Sequence, residues 1–294
     1  MSPRRVRVRV PATSANLGPG FDCLGLALDI WGTLTIEAAE AGGPREGMGR
    51  LAAEAAARLF ARCGRTAPPL RIAYDGGVPV ARGLGASAVA RVGGLLAACA
   101  LLGREPDPHA LLPLAAELEG HADNAAPALL GGLQVTVRRD DGGYVCLGLA
   151  PPPQLRAVLF VPARELPTAQ ARRVLPHRLP RADAVYNIGR AALLVACLAT
   201  GRLEHLAEAT RDRLHQPYRA RLLPALPPLL EAALEAGALG AYLSGAGPAV
   251  CALTAGREEA VAEALAQTAR RLGVDGETIV ASLSQRGAHL LEVE

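Results

Sequence analysis

Lysine is missing altogether: all 31 basic residues among the 294 are arginine. The absence excludes several chemistries. A Schiff base to pyridoxal phosphate or to a carbonyl substrate needs a lysine amine. A Walker phosphate loop ending in Gly-Lys-Ser/Thr and the strand lysine of a protein kinase are excluded in the same way. Any anionic ligand must be held by Arg forks, backbone N–H groups or a metal. Aromatic residues are scarce, at 3%, so the core that a 50% apolar composition supports must be built mainly from Ala, Leu and Val. C-x-x-C pairs are lacking: Cys23, Cys63, Cys99, Cys146, Cys197 and Cys251 lie at least 36 residues apart. Most sit in apolar stretches, where they read as small hydrophobes of a reduced protein. Long hydrophobic runs are lacking too. The longest uncharged apolar stretch, residues 92–103, falls short of the about 20 needed to cross a bilayer. The N-terminus opens with charge and alternation, not with an apolar leader. A soluble, cytoplasmic protein without a membrane partner is expected.

The net charge of +3 is too mild to argue for nucleic acid. The one basic concentration, Arg4, Arg5, Arg7 and Arg9, alternates with valine and reads as the exposed face of a strand. The length fits one large domain or two closely packed lobes. Val6, Val8 and Val10 predict a first strand that Pro11 ends, followed by a Gly/Pro-rich turn and a partly β-branched segment over 24–38. Helices are expected over 46–63, 86–102 and 108–119, with Gly93 and Gly94 permitting close packing of the second, and a short helical piece over 121–130. A strand is expected over 70–74. Strands over 133–138 and 144–149 flank Asp140-Asp141-Gly142-Gly143, a hairpin signal. Pro151-Pro152-Pro153 is the candidate junction between lobes. Beyond it come a strand over 155–161, a mostly helical region over 168–234, strands over 239–244 and 249–254, an amphipathic helix over 257–272 and further strands over 278–283 and 289–293. The class is α+β.

Four polar segments stand out. Gly83-Leu84-Gly85 directly precedes an apolar helix; glycine dihedrals can turn N–H groups inward, and a helix start adds unpaired donors and positive charge, which together make an anion site without lysine. Ser87 would sit in the first turn, as a metal ligand or as a simple cap. Asn16 and Asp22 flank Gly18-Pro19-Gly20, either a plain turn or a loop aiming two side chains into a cleft. Ser244-Gly-Ala-Gly-Pro248 is a tight turn or a substrate-facing loop. Glu117-Leu-Glu-Gly-His121-Ala-Asp123-Asn124 is dense in polar function, while no second histidine at helical spacing supports His metal ligation.

Together these segments resemble the GHMP kinase superfamily and, within it, the homoserine kinases. Pro11 to Asp22 looks like the family's P-A-[ST]-S-A-N-L-G-P-G-F-D signature, Pro79 to Ala88 like its P-x-x-x-G-L-G-S-S-A phosphate loop, Glu119 to Gly132 like E-G-H-P-D-N-V-A-P-A-L-L-G-G, and Ser244 to Pro248 like its third motif. Thr168-Ala-Gln-Ala-Arg172 and His215-Gln-Pro-Tyr-Arg219 fit the homoserine kinases in particular. The resemblance implies a two-lobed α+β fold. Its ribosomal-protein-like N-terminal lobe (1–152) would carry the ATP phosphate loop, and its ferredoxin-like α/β C-terminal lobe (153–294) would contribute substrate residues. It implies transfer of the ATP γ-phosphoryl group to the hydroxyl of L-homoserine, giving O-phospho-L-homoserine for threonine biosynthesis. Pro79, Arg82, Gly83, Leu84, Gly85, Ala86, Ser87 and Ala88 would form the nucleotide loop. Ser87 and Glu119 would ligate Mg²⁺, with Glu117 the alternative carboxylate. Asn16, Asp22, His121, Asn124, Thr168, Arg172 and Arg219 would line the amino-acid site. Asn124, Asp123 and Ser87 would sit closest to the chemistry, with Asn124 positioning the hydroxyl and no dedicated side-chain base, because phosphoryl transfer relies on positioning and charge neutralisation. A homodimer is left open. Ala86 departs from the usual first Ser, Val89 from a small residue and Ala122 from the commoner Pro. Two alternatives stand: a kinase for another small alcohol such as mevalonate, and a non-catalytic nucleic-acid module, against which the near-balanced charge argues.

Overall fold

A computed structural model describes residues 4–41, 43 and 46–294. The chain opens with a long antiparallel pair, β1 (Arg5–Ala15) and β2 (Leu24–Ala38), in register from Arg5↔Glu37 to Ala15↔Gly25. Pro11 does not end the first strand. It faces Trp31, and the register shifts between Pro11 and Ala12, so a bulge absorbs the residue that cannot donate to the ladder. The strand thereby carries Thr13 and Ser14, both fully buried, on to the loop that follows.

α1 (Gly47–Arg62), β3 (Leu70–Gly76) and α2 (Ala86–Leu101) come next. A Cβ on Gly94 would lie 2.2 Å from the Ala52 carbonyl oxygen, so the close packing expected of Gly93-Gly94 is realised between α2 and α1. α3 (Pro108–Glu119) is capped by Asp107, whose side chain accepts from the N–H groups of His109 and Ala110, and stops at Gly120 in the left-handed region. α4 (Ala125–Leu130) is shorter than the piece expected from residue 121: His121 to Asn124 form a turn that enters it. The hairpin β4 (Leu133–Arg138) and β5 (Tyr144–Leu149) forms as expected.

The second half supplies β6 (Arg156–Pro162), α5 (Thr168–Arg173), α6 (Arg181–Thr200), α7 (Leu206–Ala209), α8 (Gln216–Arg219), α9 (Leu226–Glu235), β7 (Gly240–Leu243), β8 (Val250–Thr254), α10 (Glu258–Arg271), β9 (Gly276–Ser282) and β10 (His289–Val293). Four strands form an antiparallel sheet in the order β7-β8-β6-β9. The other sheet runs β10-β1-β2-β4-β5, with β3 also on β2. β10 therefore returns to the first sheet, Val6 opposite Val293. A boundary at 152/153 does not separate the sheets cleanly, because the last strand of the second half completes the first lobe. α6 is apolar and long enough to cross a membrane by composition, but it carries Asp183 and Arg190, and its buried Asn187 donates to Asp212. Two arginines of the basic stripe are paired within the sheet, Arg5 with Glu37 and Glu294 and Arg7 with Glu292, while Arg9 lies over Trp31.

Candidate active site

One cleft of about 460 Å³ gathers residues from every motif. Asn16, Asp22, Gly83, Gly85, Ala86, Ser87, Glu119, His121, Asp123, Asn124, Thr168, Arg172 and Arg219 all line it. Pro79, Arg82, Leu84 and Ala88 do not. The Leu84 and Ala88 side chains are buried in the core. Arg82 donates to the Val80 and Ala163 carbonyls and pairs with Glu165 at 3.2 Å, tying the loop before α2 to the second half of the chain.

Gly85 is the N-cap of α2, with φ +69° and no side-chain cap, so the first-turn N–H groups have no side-chain acceptor. A Cβ on Gly85 would lie 1.9 Å from Thr13 Oγ1, and one on Gly83 would lie 2.4 Å from the Ser244 carbonyl oxygen. Both glycines are thus required by crowding as well as by positive φ. α2 is buried except at Ser87 and Arg91, one turn apart and both on the cleft. Ser87 does not cap the helix. Its hydroxyl donates to Glu119 (2.8 and 2.6 Å to the two carboxylate oxygens), and Arg91 pairs with the same carboxylate at 2.5 Å. Glu117 points elsewhere, to Arg58 and Arg62 on the exposed surface. Of the two candidate carboxylates, Glu119 is the one beside the start of α2.

Three loops lace together around the cleft. Ser244 donates to the Gly83 carbonyl at 2.7 Å and bonds Ser14 at 2.8 Å. Asn16 uses both ends of its amide, donating to the Gly245 carbonyl and accepting from the Asp22 N–H. Asn16, Leu17 and Asp22 all have positive φ, a strain that such interlocking sustains. Asn16 therefore organises the loop that presents Asp22.

Asp22 accepts two bonds from Arg172, at 3.0 and 2.6 Å, in a bidentate fork. Asp22, His121 and Asp123 offer ligand atoms within 4.8 Å of one another. His121 Nδ1 bonds Asp123 Oδ1. Burial opposes its charge, but the Asp123 hydrogen bond and charge outweigh that and raise the His121 pKa above 6.5. Asn124 accepts from Thr13 Oγ1 at 2.7 Å and donates to Asp123 at 3.3 Å. Thr168 is exposed at the first turn of α5.

Arg219 is 1% exposed. It donates to the carbonyls of Ala171 and Gly245 and to His215 Nδ1, and forms no ion pair among the described residues. Burial, with Arg172 nearby, lowers its pKa to about 10, which leaves it charged at neutral pH. A buried cation without a carboxylate partner fits an anion-binding role. Thr13, Arg91 and His215 are site residues that the sequence motifs alone do not mark. Arg91 had a signal: it and Ser87 are the two polar side chains on an otherwise apolar helix.

Residues 50–132 match the family described as GHMP kinases N terminal domain, and residues 194–271 match GHMP kinases C terminal. A homoserine kinase of Moorella thermoacetica is 46% identical over 279 residues, 91% of this chain and 93% of that protein. The chain belongs to the homoserine kinase family of the GHMP kinases. A second relative, the homoserine kinase of Thermosynechococcus vestitus, is 42% identical over 95% of this chain and 97% of its own. The crystal structure of homoserine kinase from Cytophaga hutchinsonii has 29% identity and a TM-score of 0.88, covering 98% of this chain and 97% of that one. Likeness at this level along nearly the whole length gives no support to the mevalonate alternative or to a non-catalytic nucleic-acid module.

Proposed function

We propose that the protein transfers the γ-phosphoryl group of ATP to the side-chain hydroxyl of L-homoserine. What carries the reading is a single cleft lined both by the uncapped start of α2 and by Asp22, Arg172 and Arg219. The N–H groups of Ala86, Ser87 and Ala88 bind phosphate oxygens, aided by the helix dipole. Ser87 Oγ and the Glu119 carboxylate, within 2.8 Å of each other, are the hard oxygen donors that Mg²⁺ takes alongside phosphates and water. When bound, such an ion neutralises charge on the transferring group. Arg91 holds the Glu119 carboxylate in place.

A zwitterion suits the other side of the cleft. Arg172 and Arg219 take the α-carboxylate, which matches guanidinium forks. Asp22, with the Asp123–His121 pair close by, takes the ammonium. The Asp22–Arg172 pair keeps both charges at the site, and an amino acid supplies each with a new partner. Asn124, oriented by Thr13, holds the hydroxyl in line with the phosphorus. Its amide accepts no proton at neutral pH, so positioning and charge neutralisation carry the acceleration and the proton leaves late.

An ATP-dependent assay with L-homoserine tests the reading. Product must form with homoserine, and the Arg172→Ala variant must raise KM for homoserine by about tenfold or more, the value of one charged hydrogen-bonded contact, while KM for ATP is unchanged. A wild-type protein inert towards homoserine, or an Arg172 effect confined to ATP, would contradict it.

A further inference from the structure

We propose that His215 is a positioning residue for amino-acid recognition: as a neutral imidazole protonated at Nε2, it fixes the guanidinium of Arg219 at the cleft wall. The inference rests on the reading of that cleft as a homoserine site.

His215 is fully buried, and both of its ring nitrogens are engaged. Nε2 lies 2.8 Å from the carbonyl oxygen of Gly18, in the loop that presents Asp22, and Nδ1 lies 3.1 Å from Arg219 Nη1. A carbonyl can only accept and a guanidinium can only donate. The Nε2–H tautomer satisfies both contacts. The other tautomer would set two donors against each other at Arg219 and two acceptors against each other at Gly18. The imidazolium would place a second positive charge against Arg219 in a buried setting.

The surroundings favour the neutral form. Burial and Arg219 depress the His215 pKa to about 4 despite opposition from Asp212, whose Oδ2 is 3.7 Å from Nε2, and from Asp22. The Asp212 carboxylate is itself occupied, accepting from the N–H groups of Leu214, His215 and Gln216 and from Asn187 Nδ2. The ring of Phe21 sits 5.3 Å from the His215 ring and 5.4 Å from the Arg219 guanidinium, closing the remaining side.

The contact determines what Arg219 can offer. Its Nη1 is spent on the Gly245 carbonyl and on His215, and its Nε is spent on the Ala171 carbonyl. Nη2 has no acceptor among the described residues, while the side chain lines the cleft. His215 thus holds a flexible side chain so that one edge remains for a carboxylate, and it links that edge to the Asp22 loop through Gly18.

Two near-isosteric substitutions separate the two bonds. His215→Asn places an amide oxygen near the Nδ1 position and keeps an acceptor for Arg219. His215→Gln reaches the Nε2 position and keeps a donor for Gly18, but leaves Arg219 without its acceptor. Steady-state kinetics of both variants should show KM for homoserine raised about tenfold in His215→Gln and recovered to within about threefold of wild type in His215→Asn, with KM for ATP unchanged in both. Equal effects in the two variants, no effect in either, or a change confined to ATP would overturn the proposal. In the wild-type protein, ¹⁵N-histidine spectra should show His215 as the neutral Nε2–H tautomer from about pH 6 to about pH 8; an Nδ1–H tautomer or an imidazolium there would overturn it whether or not the variants fold. An inert wild type would instead remove the underlying reading of the site.

Discussion

Asp123 is a carboxylate close to the proposed acceptor hydroxyl, yet one of its two oxygens is already committed. It is 2% exposed, and its Oδ1 serves both His121 and Asn124. Proton uptake by this carboxylate would weaken its pair with a histidine whose pKa it raises. Asp123→Asn should therefore lower kcat no more than Asn124→Ala does, because both variants disturb the same positioning network. Single-turnover rates check this, and a large loss in the Asp123 variant alone would restore a general base to the mechanism. The same pair fixes a pH signature. A histidine whose folded pKa is raised adds stability that is fully present below its unfolded value near 6.5 and is lost as pH rises through the folded value. Melting temperatures of His121→Gln and wild type should thus differ most on the acid side of 6.5 and converge above the raised pKa. A gap that widens with rising pH would contradict the assignment. His215 acts in the opposite sense: its folded pKa of about 4 costs stability as pH falls from 6.5 towards that value, so the comparison must be made between variant and parent at each pH.

At the scale of elements, α2 starts where the sequence places it and ends one residue short of the expected 102. An apolar run behind Gly83-Leu84-Gly85 could hardly be other than a buried helix, and Gly93-Gly94 announced close packing. Gly94→Ala would drive a Cβ to 2.2 Å from the backbone oxygen of Ala52, a contact that only a shift of α1 can relieve. The expected cost is about 1–3 kcal/mol, a fall in Tm of about 2–4 °C for each kcal/mol. An unchanged Tm in calorimetry would show that the α1–α2 contact is not tight. Elsewhere the elements taught what local patterns cannot. Pro11 reads as a strand terminator, but β2 tolerates it through a bulge, a tertiary accommodation with no local mark. The turn at His121 to Asn124 has the composition of a helix start and is held out of α4 by the side-chain bonds of Thr13, His121 and Asp123. Motif residues such as Asp22, Glu119 and Arg172 were legible because each sits in a distinctive string. Thr13 and His215 also lie in such strings, but their roles do not show there, because they exist only through partners more than a hundred residues away, Asn124 for one and Gly18 for the other.

On the scale of the whole molecule, the two sheets do not belong to independent units. Leu155, Ala157, Leu159, Tyr242, Cys251 and Leu253 from the second half share one buried cluster with Val6, Val8, Leu26 and Leu95 from the first. β10 closes the first sheet, and Ser244 bonds to Gly83 and Ser14 across the cleft. Thermal unfolding should accordingly show one cooperative transition whose calorimetric and van't Hoff enthalpies agree. Two resolved transitions would mean that the shared core contributes little to cooperativity. This continuity also serves the proposed function, since the loop that precedes α2 and the guanidiniums of Arg172 and Arg219 come from opposite halves of the chain and must keep a fixed separation for in-line transfer.

The most direct test of the account is a crystal structure of the protein with a non-hydrolysable ATP analogue and L-homoserine. Phosphate density is expected against the N–H groups of residues 85–88, with Ser87 and Glu119 beside it, and the amino-acid carboxylate against Arg172 and Arg219. Phosphates bound away from the start of α2, or a homoserine carboxylate turned away from both arginines, would contradict it.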